Sequence, residues 1–462
     1  MNALALPARL RARVAAWLER WGGLLPLFLA EFVVWLGFGG LLPVLPLYFT
    51  EQGLDLATLG LVIAAWPAAR LVTEPIFGWL ADRMARVPLM VVGLLATGLF
   101  EMLPLVLTGP VAFTILRAGA GLGAAIYDPA ARGYVTDATP PERRGEAFGL
   151  YGAAQMGGLL LGPTIGALGA AWFGGIGFVF VFSAITAVIA AIAVATRVRE
   201  DPIERRERVA RASRSRDVTE FPSDNPYTDR RAADDLAADD RAAATAATAS
   251  TMIEGPADAP TVAPATVRRL LNRGLIAAIV INIGGYFASG TYEVIWSLFL
   301  EGLGADLTLI GLTFAMFGLP VLLFSPLAGR IVDRRGALAF IVIGSILPAM
   351  TGLIYTLLVD PRLAVPLILV EATGFAFLTP ALYAVVAANS PPGRTSTAQG
   401  LFGASGTLGF IVASLVAGWL ASIDILYPFY VFSGVMFISL VIGLAIGGRR
   451  LTARARPAPS PV

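Results

Sequence analysis

The chain contains no cysteine, no histidine and no lysine. The first absence excludes disulfides, zinc–thiolate sites and a cysteine nucleophile. The second removes the side chain that ordinarily carries protons near neutral pH. The third leaves arginine as the sole basic residue, and arginine does not deprotonate in a protein, so any buried positive charge is permanent. Carboxylates remain as the candidates for proton exchange. Charge is scarce as well: 14% of the 462 residues are charged and 56% are apolar. The apolar runs are too long and too many for one water-soluble core. No Gly-rich phosphate loop or metal-ligand cluster is present, so no enzyme, cofactor or metal site is expected, and no nucleic-acid partner.

Residues 1–22 form a short basic segment in which Arg9, Arg11, Arg13 and Arg20 are interspersed with Leu10, Val14, Trp17, Leu18 and Trp21. It reads as a flank that supplies positive charge for topology, or as an amphipathic helix on an anionic membrane face. A cleaved signal peptide is not expected, because the following apolar run is too long. Twelve apolar stretches follow, each near the ~20 residues a bilayer requires. They cover 24–48, 57–82, 87–108, 111–135, 143–168 and 172–196, then 272–299, 308–333, 337–359, 362–388, 395–420 and 426–448. The expected fold is all-α and integral to the membrane, with six-helix halves at 23–198 and 269–450 and a tail at 451–462. Residues 199–268 turn from arginine-rich to acidic to Ala/Thr/Pro-rich. They cannot bury a core and are expected to be a disordered tether, or a regulatory or lipid-binding element.

Arginine placement predicts orientation. Arg83, Arg86, Arg143, Arg144, Arg334, Arg335 and Arg394 lie in one set of loops, with the arginine-rich termini and middle segment. The opposite loops have almost none, Arg362 being the nearby exception. Both termini and the middle segment are expected to be cytoplasmic, in a cell (inner) membrane.

One pattern occurs twice. Pro75, Gly78 and Asp82 return 251 residues on as Pro326, Gly329 and Asp333, each acid followed by arginines (Arg83 and Arg86; Arg334 and Arg335). Gly53, Asp55 and Gly60 return as Gly304, Asp306 and Gly311; Gly123 and Pro129 as Gly374 and Pro380; Gly149 and Gly152 as Gly400 and Gly403. Two parallel halves of one ancestry follow. Such proteins carry substrate between the halves near the midplane and rock one half against the other.

These residues resemble the major facilitator superfamily, and within it the drug:proton antiporter branch. Gly78-x-x-x-Asp82-Arg83-x-x-Arg86 is similar to the signature between the second and third spans, with Ala85 where glycine is usual. Arg117-x-Gly119-x-Gly121-x-Gly123 is similar to the intramembrane arginine motif of the fourth span. Gly158-x-x-x-Gly162-Pro163-x-x-Gly166 resembles the antiporter signature of the fifth, with Ala167 replacing a second glycine. The resemblance implies the major facilitator fold and secondary transport driven by a proton gradient. It also implies that Asp82, Arg83 and Arg86, with Asp137 at the end of the fourth span, form an inter-half latch. Arg143, Arg144, Asp333, Arg334 and Arg335 would complete a cytoplasmic ring at the turns that follow Gly78 and Gly329. Topology alone also explains these arginines.

Ionisable residues inside a membrane are site candidates by default. Glu31, Arg70, Glu74, Glu101, Arg117 and Asp128 lie in the first half, and Glu293 and Glu371 in the second. The repeat places Asn282, Ser325, Thr379 and Ile368 where Glu31, Glu74, Asp128 and Arg117 stand, so proton chemistry is expected in the first half. Glu31, Asp128 and Glu74 share a depth of ~10 Å from the arginine-rich end, with Glu101 at ~20 Å and Arg117 somewhat higher. Arg70 is one turn from Glu74. Glu31, with no cation on its own helix, is the expected proton carrier and Asp128 the second, unless Asp128 is fixed by Arg70 or Arg132. Arg117 tunes an acid, by resemblance, or pairs with Glu101. Phe38, Trp66, Tyr127, Tyr286, Tyr292, Trp296 and Phe375 could wall a cavity for amphiphilic or cationic compounds, with Glu293 and Glu371. The expected function is proton-coupled multidrug efflux by a monomer in the bilayer. Flipping of lipids, or export of sugars or metabolites, is the alternative on the same fold.

Overall fold

The computed structural model describes residues 17, 19–140, 143–173, 175–200, 271–390 and 395–452. The remainder of the basic N-terminal segment, the tether beyond Glu200 and the last ten residues lie outside them. The described residues form helices and no strands: α1 (Leu25–Leu41), α2 (Leu45–Glu51), α3 (Leu56–Ala81), α4 (Arg86–Met102), α5 (Pro110–Asp137), α6 (Arg144–Phe173), α7 (Gly177–Arg197), α8 (Arg273–Gly302), α9 (Leu307–Arg335), α10 (Leu338–Tyr355), α11 (Ala364–Asn389), α12 (Thr395–Ala421) and α13 (Tyr427–Gly447). Eleven are long and apolar enough to cross a membrane, and α1 with α2 forms a twelfth, bent by 43°. The bend falls at Pro43, which has no N–H to continue the ladder, and Pro46 starts the second piece. The sequence pattern alone made this span a single helix.

The repeat is visible as repeated packing. Within the first half α1 lies on α6 and α7, α5 on α3 and α4, and α4 on α7; within the second, α8 lies on α12 and α13, α11 on α9 and α10, and α10 on α13. Asp55 caps α3 through the Thr58 N–H at 2.9 Å, and Asp306 caps α9 through the Leu309 N–H at 2.8 Å. Bonds from Thr58 hold the Asp55 carboxyl below the usual range, so this cap stays charged. The preceding Gly53 and Gly304 turn at φ 86° and 87°, where other residues are strained.

Between the halves, α3 packs on α12 and α6 on α9. Gly60 lies against Ser414 and Gly418, and Gly311 against Pro163 and Ala167, which are the same contacts 251 residues apart. A β-carbon on Gly311 would meet the Pro163 carbonyl at 2.8 Å. Both contacts lie near the arginine-poor end. Toward the other end the halves part: a β-carbon on Gly149, Gly152, Gly400 or Gly403 would meet nothing within 4 Å. The molecule is closed at its arginine-poor end and open at its arginine-rich end.

The antiporter-like glycines bring α6 backbone-to-backbone onto α1. A β-carbon on Gly162 would meet the Leu36 carbonyl at 2.5 Å, and one on Gly166 the Gly40 Cα at 2.8 Å. Gly158 is equally tight against Phe32 and Leu36, and Pro163 fills the step beside Gly39. Gly162→Val is therefore expected to destabilise the first half by about 3 kcal/mol, the upper end of overpacking costs. Gly149→Ala, facing open space, should leave the thermal unfolding midpoint of the purified protein within experimental error of wild type.

Candidate functional site

Glu31 is fully buried in α1, one helical turn from Trp35. Three donors converge on its carboxylate: Trp35 Nε1 at 2.9 Å, Gln155 Nε2 at 2.5 Å and Tyr127 Oη at 2.5 Å. They come from α1, α6 and α5, so the carboxylate ties three helices together. No arginine pairs with it in the ion pairs of the described residues. Tyr127, expected to wall a cavity, lines a small one and also donates to Glu31, and its backbone packs closely on Gly93 of α4. Gln155 and Trp35 were not among the sequence candidates. Trp35 was legible as the i+4 neighbour of Glu31.

Asp128 follows Tyr127 on α5 and is 5% exposed. It is bonded by Arg70 and, at 3.2 Å, by Arg132. Glu74 completes the ring, 3.2 Å from each arginine. Two acids and two arginines thus balance, with Arg132 half-exposed. Trp66 lies under the Arg70 guanidinium at 4.8 Å and stacks on Phe38 at 5.4 Å. A cavity of about 50 Å³, room for a water or two, lies among Trp35, Phe38, Trp66, Arg70, Thr97, Glu101, Tyr127 and Asp128.

Beyond the cavity, Glu101 accepts from Ser183 at 2.5 Å. Arg117, expected either to tune an acid or to pair with Glu101, reaches across to the other half and bonds Glu293 at 3.1 Å. Their Nη–Oε contact joins α5 to α8, and Arg117 is 3% exposed. Glu293, expected at the cavity wall, holds an inter-half ion pair. Depth along the helices did not reveal this, since the partners lie 176 residues apart in different halves.

The second half keeps this geometry with milder chemistry. Asn282, the counterpart of Glu31, donates to the Phe402 carbonyl at 2.9 Å. Glu371 is fully buried and accepts from the Tyr355 hydroxyl at 2.8 Å. Tyr292 and Trp296 pack with Tyr355, Phe429 and Phe432, and Trp296 donates to Thr313. These aromatics and Glu371 form core rather than an accessible wall. Tyr286 is 40% exposed and lies against Gly406 of α12, and Phe375 packs on Phe317.

At the arginine-rich end Arg86 bonds Asp137 at 2.7 Å and approaches Asp82 at 3.7 Å. Gly133 makes room for it, since a β-carbon there would strike the guanidinium. Arg83, expected to share Asp137, lies over Trp79 at 4.1 Å and bonds its carbonyl. Arg144 bonds the Thr136 and Thr139 carbonyls. All these contacts stay within the first half, as the separation of the halves at this end requires. Gly78 and Gly329 each face a proline across their half, Pro129 and Pro380. Arg334 is exposed, and the side chain of Asp333 lies outside the described set. Among the described residues no group of acids could hold a metal ion.

The chain is 25% identical over 422 residues to "Multidrug resistance protein 2" of Bacillus subtilis (strain 168), covering 88% of this chain and 91% of that protein. It is 30% identical over 140 residues to "Quinolone resistance protein NorA" of Staphylococcus aureus, covering 30% of this chain and 36% of that one. A solved peptide transporter in complex with sulfate aligns at a TM-score of 0.68 and 15% identity, over 93% of this chain and 96% of that chain. A bacterial homologue of the human lysosomal transporter Spinster, in an inward-facing and unoccupied conformation, aligns at 0.66 and 16%, over 95% and 99%. At such identities these two structures speak to the fold alone. The Major Facilitator Superfamily profile matches residues 27–295 and 275–462. A paired set of six-helix halves, closed at one end and open at the other, and matched by this profile along nearly its whole length, is a membrane transporter belonging to the Major Facilitator Superfamily.

Proposed function

We propose that the protein is a proton-coupled exporter of small amphiphilic or cationic compounds, working by alternating access with its arginine-rich end in the cytoplasm. The observation that carries this reading is Glu31: a buried carboxylate held by three neutral donors and no cation. Its charge can change without breaking an ion pair, whereas any change at Asp128 must disturb two arginines. When Glu31 takes a proton on the oxygen facing Tyr127, that hydroxyl must turn from donor to acceptor. Tyr127 and Asp128 are adjacent on α5, so the turn acts beside the ring of Arg70, Glu74, Asp128 and Arg132. That ring faces the open end through Arg132. The small cavity links Asp128 to Glu101, and Arg117 lies beyond it at the inter-half ion pair. Proton occupancy of Glu31 is thus coupled to contacts on both sides of the closure. The names of the two resistance proteins support drug-like cargo, and the Phe38–Trp66–Arg70 stack offers flat apolar surface for it.

Reconstitution into liposomes with a trapped pH-sensitive dye tests the reading. Adding a carried cationic amphiphile is expected to move protons in the opposite direction, and more steeply with an imposed pH gradient. Substrate flux that leaves the dye unchanged at every gradient would eliminate proton coupling.

A further inference from the structure

After the last span of each half, the chain returns over the turn that follows the second span of that half, but it brings different chemistry. In the first half Glu200 accepts from the Arg86 N–H at 3.0 Å, placing a carboxylate at the start of α4. Tyr134 fixes the same segment by donating to the Arg199 carbonyl at 3.0 Å. The residue 251 positions beyond Glu200 is Leu451, which is fully buried and has no polar side chain to offer. The N-cap residue of α10 is Ala337, which has no side chain that can cap it, and no side-chain bond to the first turn is present among the described residues. At this place there is instead a groove of about 470 Å³, lined by Ile331, Arg335, Leu338, Phe340, Ile343 and Thr452.

Two kinds of surface meet in the groove. Its wall is apolar and runs into the outward face of α10, where Ile343, Ile346 and Met350 are 46%, 39% and 52% exposed. Hydrocarbon chains of the bilayer cover such a face. Its rim is cationic: Arg335 lines it, and Arg334, Arg449 and Arg450 are exposed at the same end. None of these four is in an ion pair of the described residues. Arginine forks match phosphate oxygens. A free anion would gain nothing from Phe340, Ile331 and Ile343, and a neutral lipid nothing from the surplus positive charge. We propose that the groove binds one anionic phospholipid, its phosphate on Arg335 and an acyl chain along Phe340 and Ile343. In the first half the chain's own Glu200 supplies the negative charge; in the second the membrane does. The lipid would then bridge the α9–α10 turn, which moves with the second half.

Native mass spectrometry of the full chain, released from detergent with phosphatidylglycerol added, tests this. One phosphatidylglycerol is expected to remain bound at concentrations where phosphatidylcholine does not. Arg335→Gln should weaken that adduct roughly fivefold, the effect of one surface arginine on anionic lipid. Arg335→Lys should retain most of it, and Arg330→Gln, outside the groove, should behave as wild type. Ile343→Asp should weaken it while leaving the unfolding temperature in lipid-free detergent unchanged. Equal adducts in wild type and Arg335→Gln would overturn the proposal. So would equal retention of phosphatidylcholine, or displacement of the lipid by inorganic phosphate at matched concentration.

Discussion

Glu31→Gln is expected to abolish proton-driven transport while leaving substrate counterflow intact. The geometry explains why this substitution is informative rather than merely damaging. Trp35 and Gln155 both donate to Oε1, and Tyr127 to Oε2. A glutamine can place its carbonyl where Oε1 stands and its amide toward Tyr127, whose hydroxyl rotates to accept. Trp35 and Gln155 keep their acceptor and Tyr127 gains a donor, so most of the cost of an unpaired buried group, about 1–3 kcal/mol, is avoided. The variant is fixed in the arrangement of the protonated acid. Exchange of substrate across a vesicle needs no net proton movement and should proceed near the wild-type rate. Accumulation driven by a pH gradient should fall at least tenfold. Driven accumulation that survives in folded Glu31→Gln would remove Glu31 from the mechanism and turn attention to the arginine ring.

The second large effect is expected at Arg117 and Glu293. Their contact is a polar link between the halves, and it sits where the molecule is closed. Removing one member leaves a buried charge without its partner, a loss of about 3–5 kcal/mol in comparable buried pairs. Arg117→Met should therefore lower the unfolding temperature sharply and weaken closure of the arginine-poor end. Arg117→Met with Glu293→Gln removes both charges and should recover most of the stability but not the closure. Because the chain has no cysteine, a thiol placed at Ala167 can report that closure directly. Ala167 is fully buried against Gly311 in the closed seam. Its labelling by a membrane-impermeant maleimide should be slow in the otherwise wild-type protein and fast in both variants. Slow labelling in the double variant would mean the glycine seams hold the end shut without the ion pair.

Much of the architecture was legible because the repeat is so regular. Gly60 and Gly311, Pro129 and Pro380, Asp55 and Asp306 were recognisable as pairs before any contact was known, and each pair performs one structural task twice. The bent first span was not legible: Pro43 and Pro46 are tolerated within many membrane helices, and only packing decides whether the chain breaks. In the site, Glu31 and the proximity of Arg70 to Glu74 followed from spacing along single helices. The donors from α5 and α6 did not, because Gln155 and Tyr127 differ from any packing residue only in the rotation of their helices. Arg117 shows the limit of ranking groups by depth. Glu101 and Glu293 both lie within reach of its long side chain, and the approach of α8 decides between them. Arg83 shows another: the exposed Trp79 face offered a stacking partner one turn away.

Under the proposed rocking of the halves, the paired glycine seams make the molecule an asymmetric lever. Gly60 and Gly311 are fulcrums near one end of α3 and α9, with Gly78 and Gly329 ~27 Å away along the same helices. Each degree of rotation about a fulcrum carries the far end through roughly 0.5 Å over an arm of that length. Displacements at the closed end are therefore small, and those at the open end are large. The two fulcrums are copies of one design, so under the proposed rocking motion a bulky side chain at either should act as a doorstop for the whole machine.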